Sequence, residues 1–246
     1  MIAGKTRVTN KMERDVSNEP TAILMQKVKH EMQEVNNGND DAELNYRLGE
    51  ELIERWRRGS DLEFLVDLLR SEKSSERLLG AYYLGEVGGV DGLKVSAMEL
   101  VDDPLSNCRR AFIDYVISSG CYDDTIADGM AKCLLDLNLY VRVTAMRWAI
   151  LTSAEIFEQF SRLVESGAGG LEPKFRNPLS NDFLNESSLR RATRGLDIIR
   201  SLRAAGKIQE VRKDFPEEDS FVFDNFLFWE THRERTAEWQ KLKSRR

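Results

Sequence analysis

The sequence predicts an all-α fold, a right-handed superhelix of about four to five stacked helix pairs. Three observations predict it. First, a motif recurs: Arg77, Arg109 and Arg142 share one phase, at steps of 32 and 33 residues. Each is followed three residues later by Gly80, Phe112 or Ala145, six later by Tyr83, Tyr115 or Trp148, and seven later by Leu84, Val116 or Ala149. Steps of three, four and seven lie on one face of a helix. Second, the recurrence extends from Asp61 to Thr152, and a helical unit repeating at this period is the mark of a solenoid. Third, 16 glycines and 5 prolines in 246 residues are too few for a turn-rich β fold, and no strand-like alternation persists.

Residues 1–20 are polar and without periodicity, which reads as a frayed tail ahead of a single domain over 21–246. Thr21 is placed to cap a helix reaching Val35, with Ile23, Leu24, Val28, Met32 and Val35 on one side. After a turn at Asn36–Asp40, Ala42–Arg58 reads as a second helix, with Leu44, Leu48, Leu52 and Ile53 inward and Trp56 closing its end. This pair forms an N-terminal cap for the array. The core repeats then occupy 61–152. In the first, Leu62, Leu65, Leu68 and Leu69 stripe one helix, and Ser75–Val87 follows the turn Ser71–Ser74. The second runs Gly92–Val101, turns at Asp102-Asp103-Pro104, and continues through Ile117, with Pro104 expected at an early helical position. The third runs Thr125–Leu135, turns at Asp136–Asn138, and resumes to Thr152. Gly88-Gly89 and Ser118-Ser119-Gly120 are the expected stops between units.

Ser153 is the expected cap of Ala154–Ser166, whose apolar face is Phe157, Phe160 and Leu163. Gly167–Asp182 then interrupts the pattern with three glycines and two prolines, and Lys174 and Arg176 make it locally positive. A connection of this length reads as an irregular surface insertion or as a partner-contacting loop. A helix capped by Asn185 or Ser187 runs to Ala205, with Leu189, Leu196, Ile199 and Leu202 inward, completing a degenerate fourth repeat over 154–205. After an acidic connection, a C-terminal helix spans 224–243, anchored by Phe226, Leu227, Trp229 and Trp239.

The motifs resemble HEAT repeats. Asp136, Val141-Arg142 and Ala145 match that family's turn aspartate, valine–arginine pair and small packing residue. Asp103, Cys108-Arg109 and Phe112 match with a large residue in the small position. The first copy departs further, with Ser71 in place of the aspartate and Glu76 in place of the valine. The resemblance implies a ladder in which Arg77, Arg109 and Arg142 bond the turn aspartates Asp103 and Asp136. Arg142 is expected to be the most heavily engaged, with both aspartates available to it, and Arg77 the least. The resemblance is specific for fold and weak for function.

Composition narrows the function classes. With 36 Lys+Arg against 42 Asp+Glu, the net charge is −6, a poor basis for nonspecific nucleic-acid binding. No stretch has the length and apolarity to span a membrane, and no apolar run follows the charged N-terminus, so the expected location is cytoplasmic. The three cysteines Cys108, Cys121 and Cys133 form no close metal-ligand pair, and neither metal nor cofactor is expected. His30 and His232 belong to no metal-spacing motif. Gly85, Gly88 and Gly89 lack the strand and the lysine of a phosphate loop and read as helix ends and close approaches. Asp102-Asp103 and Asp123-Asp124 sit at helix boundaries, where capping explains them better than acid–base chemistry.

No catalytic residue is assigned. Some DNA glycosylases acting on alkylated bases are similar to stacked HEAT-like repeats, and Asp114, Tyr115, Arg147 and Trp148 superficially supply their aspartate and aromatics. Here the aromatics keep the phase of a packing position, and the acidic total lacks the cationic footprint a duplex needs. The preferred reading is a protein-interaction module. Positions offset from the arginine phase, Leu78, Tyr82, Arg110, Asp114, Val143 and Arg147, should escape the core and line one surface. The expected protein-binding set is Tyr82, Arg110, Asp114 and Arg147, with Lys174 and Arg176 of the loop. Small acidic HEAT-like proteins include immunity proteins that neutralise toxins and others that act as assembly scaffolds. Opposite fields would suit a basic toxin as the partner.

Overall fold

A computed structural model of the chain describes residues 18–36, 42–166, 188–205 and 207–243. Among these residues the fold is all-α, with twelve α-helices and no strand. The frayed-tail reading of 1–17, the loop over Gly167–Asp182 with Lys174 and Arg176, and the caps Asn185 and Ser187 lie outside the described residues. No helix among the described residues is long and apolar enough to cross a membrane. The chain divides into two compact units, Met1–Leu65 and Val66–Arg246.

In the first unit, α1 (Thr21–Asn36) packs on α2 (Ala42–Arg57). Leu24, Met25 and Val28 of α1 and Leu48, Leu52 and Ile53 of α2 are buried. Ile23, expected inward, is exposed, because the buried stripe follows steps of three and four through 21, 24, 25 and 28 and Met25 takes its place. Thr21 is the first helical residue rather than a cap, and its hydroxyl donates to the Asp61 carboxylate at 2.5 Å. Trp56 is fully buried, and its indole N–H reaches the carbonyl of Asp61 at 3.1 Å, closing the end of α2.

The second unit begins within α3 (Leu62–Leu69) and continues through α4 (Ser74–Val87), α5 (Lys94–Glu99), α6 (Ser106–Ser119), α7 (Asp124–Leu134), α8 (Leu139–Leu151), α9 (Ala154–Glu165) and α10 (Ser188–Ala205). A short α11 (Ile208–Val211) and the long α12 (Ser220–Lys243) complete it, α12 starting ahead of the expected Asp224. The even-numbered helices pack in series, α4 on α6, α6 on α8 and α8 on α10, while α7 packs on α8 and α9. Caps set the helix starts. Asp123 accepts from the N–H of Ile126 at α7, Asn138 from Tyr140 and Val141 at α8, and Ser153 from Ile156 at α9. Pro104 falls in the turn before α6 rather than in its first helical turn, and its carbonyl accepts from Arg109.

Glycines set two close approaches. Gly88 ends α4 at φ 78°, and a Cβ on the adjacent Gly89 would lie 2.0 Å from the Cα of Ser119, so only glycine lets these backbones meet. On α7, a Cβ on Gly129 would lie 2.9 Å from the Phe112 ring. The large residue at the small position of the second repeat is therefore accommodated by a missing side chain on the neighbouring helix.

Candidate functional site

Within the second unit, the three phase-matched arginines form a seam along successive interhelix turns. Each makes the same local bond. The Nη1 of Arg77 donates to the carbonyls of Ser71 and Glu72 at 2.9 and 3.0 Å. Arg109 Nη1 donates to those of Asp103 and Pro104 at 2.7 and 3.0 Å, and Arg142 Nη1 to those of Asp136 and Leu137 at 2.7 and 3.1 Å. A guanidinium thus satisfies the last carbonyls of its own turn. The rest of the fork reaches forward. Arg77 Nε donates to Asp103 at 2.7 Å, and Arg109 grips Asp136 through Nε at 2.5 Å and Nη2 at 3.0 Å. The second carboxylate oxygens fold their own turns: Leu105 N–H donates to Asp103 at 2.8 Å and Asn138 N–H to Asp136 at 2.7 Å.

This geometry corrects the expected ranking. Asp103 and Asp136 are held by Arg77 and Arg109, because these two arginines each bond the carboxylate of the turn that follows, while Arg142 donates to the backbone carbonyl of Asp136. Arg77 is fully in the seam despite the missing aspartate at 71. Ser71 takes over the turn bond instead, its Oγ accepting from the N–H of Lys73 at 3.2 Å. Cys108 and Cys133 lie inside the seam, and burial pushes the Cys108 thiol up to about 12 and the Cys133 thiol higher still, which keeps both protonated and unreactive.

The offset positions make a different surface. On α6, Arg110 and Asp114 are 47% and 40% exposed, with Nε and carboxylate 3.9 Å apart, beyond hydrogen-bond distance. Surrounding protein desolvates Asp114 and raises its carboxyl above the ordinary range, an effect that Arg110 and Arg147 oppose but do not cancel. Arg147, on α8, lies under the Trp229 ring of α12, its guanidinium carbon 4.9 Å from the ring centre. Among the described residues, neither Arg110 nor Arg147 donates a side-chain hydrogen bond, and Asp114 accepts none. Tyr82 is 61% exposed on α4, the helix that packs on α6, and Leu78 is also exposed. Val143 does not join them. It is fully buried, because α6, α7, α10 and α12 all pack on α8 and leave it little free surface.

Two features escaped the sequence reading. Beside Arg147 a cleft of about 200 Å³ opens between α8, α10, the start of α11 and α12, with Leu202 and Phe226 buried in its lining and Ile150 and Ile208 half-buried. Arg147, Trp229 and the exposed Glu230 supply its polar lining. Arg203 of α10 caps the end of α8, its Nη1 donating to the carbonyls of Ala149, Ile150 and Thr152 at 2.8, 3.0 and 2.8 Å. The only sequence hint was a basic residue in the last turn of a helix. The aromatics in the repeat phase are core: Tyr115 and Trp148 are buried, and Trp148 stacks on Tyr122 and meets Phe160 edge-on. Among the described residues no group of three or more His, Cys, Asp or Glu side chains is arranged to hold a metal ion. No family model matches the chain, and no curated protein or solved structure is significantly similar to it.

Proposed function

We propose that this chain is a protein-binding module without catalytic activity, built as a HEAT-like stack of helix pairs, and that a folded partner docks on the face carrying Arg110, Asp114 and Arg147. One observation carries the reading: two guanidinium forks flank a half-exposed carboxylate, and all three groups have hydrogen-bonding capacity left over. Arginine forks suit bidentate recognition of carboxylates, and the desolvation around Asp114 strengthens any bond a partner makes there. Tyr82 adds exposed aromatic area with few torsions to freeze. The HEAT-like assignment is supported by the same arginine-to-turn bond in three successive units and by the serial packing of α4, α6, α8 and α10.

The net charge of −6 favours a partner of opposite charge through long-range attraction. A basic toxin held by an immunity protein fits that field, and the arginines then set register against local carboxylates on it. A scaffold that recruits an assembly partner uses the same face. The HEAT-like glycosylase is the weaker reading. Asp114 has the raised carboxyl of a candidate base, but Tyr115 and Trp148 are enclosed in the core and offer no ring to an extruded nucleobase. The test is affinity capture from native lysate with wild type and with the Arg110→Glu, Arg147→Glu double variant, followed by calorimetry on the recovered protein. A specific partner whose affinity falls more than tenfold in the double variant supports the reading. Release of alkylated bases from duplex DNA that disappears in Asp114→Asn would replace it with the glycosylase.

A further inference from the structure

We infer that the cleft between α8, α10, α11 and α12 receives one apolar side chain of the docked partner, with an adjacent carboxylate held by Arg147. This inference rests on the docking reading above and gives the partner's chemistry. Volume sets the size of the occupant. About 200 Å³ is too small for a typical cofactor or drug-sized ligand. It is close to the roughly 150 Å³ of an apolar protein cavity that accepts a benzene ring. One leucine- or phenylalanine-sized group therefore fills it. The lining sets the polarity. Leu202, Phe226, Ile150 and Ile208 offer only hydrocarbon. Arg147 brings a cationic fork whose donors are unengaged among the described residues and whose flat face is already supported by Trp229. A fork held by stacking loses less freedom when it binds a carboxylate. Glu230, exposed on the same lining, is an acceptor for an amide N–H of the incoming residue. Apolar side chain, carboxylate and amide N–H together describe an acylated apolar amino-acid residue presented by a protein.

The test uses the full chain and two small probes, N-acetyl-leucine and its uncharged amide, N-acetyl-leucinamide. Binding is followed by NMR at the methyls of Ile150, Leu202 and Ile208 and at the Trp229 indole N–H. A probe of this size is expected to bind in the low-millimolar range. The acid should bind at least fivefold more tightly than the amide to wild type, and equally to Arg147→Gln. Ile208→Trp, which fills the cleft, should abolish both; Leu151, which lines the cleft at its exposed rim, offers Leu151→Trp if that variant does not fold. No shift at these positions at tenfold higher concentration overturns the inference, as does an amide that binds as tightly as the acid. The docking reading is separable through Arg110, which does not line the cleft. If Arg110→Glu weakens the captured partner and Ile208→Trp does not, the cleft falls and docking stands. If the probes bind as expected and Arg110→Glu leaves partner affinity unchanged, the docking reading falls.

Discussion

Arg109 and Arg110 are neighbours in α6, yet they belong to two regions of opposite character. Arg109 is 8% exposed and has bonds to two carbonyls and both oxygens of Asp136. Arg110 is 47% exposed, and its Nε lies 3.9 Å from the Asp114 carboxylate, beyond hydrogen-bond distance. The inner region is a seam inside the second unit that ties successive interhelix turns together. The outer region is an open face in which the same residue types are left incompletely bonded. Burial alone does not separate these roles, since Asp114 is only half-exposed and desolvated. What separates them is whether the hydrogen-bonding capacity has been used within the fold.

The largest expected effect breaks the seam. Arg109→Ala leaves the Asp136 carboxylate buried without its partner, which costs roughly 3–5 kcal/mol. Arg77→Ala should cost less, because Arg77 is 17% exposed and gives its aspartate a single bond. Denaturant melts of the two variants check this order, and equal losses would mean that burial and bond number do not set the worth of each seam arginine. A second effect sharpens the packing side of the comparison. Gly129→Ala drives a methyl into the Phe112 ring and should cost roughly 1–3 kcal/mol, part of which Phe112→Leu should restore in the double variant. Additive losses in the thermal melts would show that the two positions do not meet.

The recurrence of Arg77, Arg109 and Arg142 was legible because a repeated packing need writes itself into the sequence at a fixed spacing. The direction of the seam was not. Phase says which residues are equivalent, while the choice between a unit's own aspartate and the next one's depends on how the turns stack. Ser71 misled for this reason: the loss of a carboxylate at the first turn does not disturb Arg77, whose acidic partner comes from the second. The open face was legible on α4 and α6, where Tyr82, Arg110 and Asp114 are all at least partly exposed, and failed at Val143 on α8. There α12 packs on α8 from far along the chain, and no local period records such a contact. The cleft was invisible for the same reason, since α8, the consecutive α10 and α11, and α12 contribute to it from three separate stretches.

Smaller effects test the open face. Because the Asp114 carboxyl is raised, its ionised form weakens the folded state. Asp114→Asn should therefore leave the melting temperature unchanged or higher at neutral pH. The penalty is complete above the raised folded value and disappears as pH falls through it and below the ordinary 3.8, so the difference between variant and wild type should vanish in acid. A variant that melts lower at pH 7 would show that Asp114 holds the fold. The smallest effect is at a helix end: Asp123→Ala removes the cap of α7 and a partly exposed pair with Lys94, costing about 1 kcal/mol in a denaturant melt.

The most direct test of the division between the two regions is a calorimetric titration of the captured partner into wild type and into Arg110→Glu, Arg147→Glu, with the unfolding midpoint of each measured in the same buffer. We predict an affinity loss of more than tenfold, which is about 1.4 kcal/mol or more, with a stability loss of no more than about 1–2 kcal/mol from the lost Trp229 stack and the reversed charges beside Asp114, well short of that of Arg109→Ala. Unchanged affinity in a folded double variant, or a loss of stability comparable to that of Arg109→Ala, would contradict the assignment of these arginines to binding rather than to the fold.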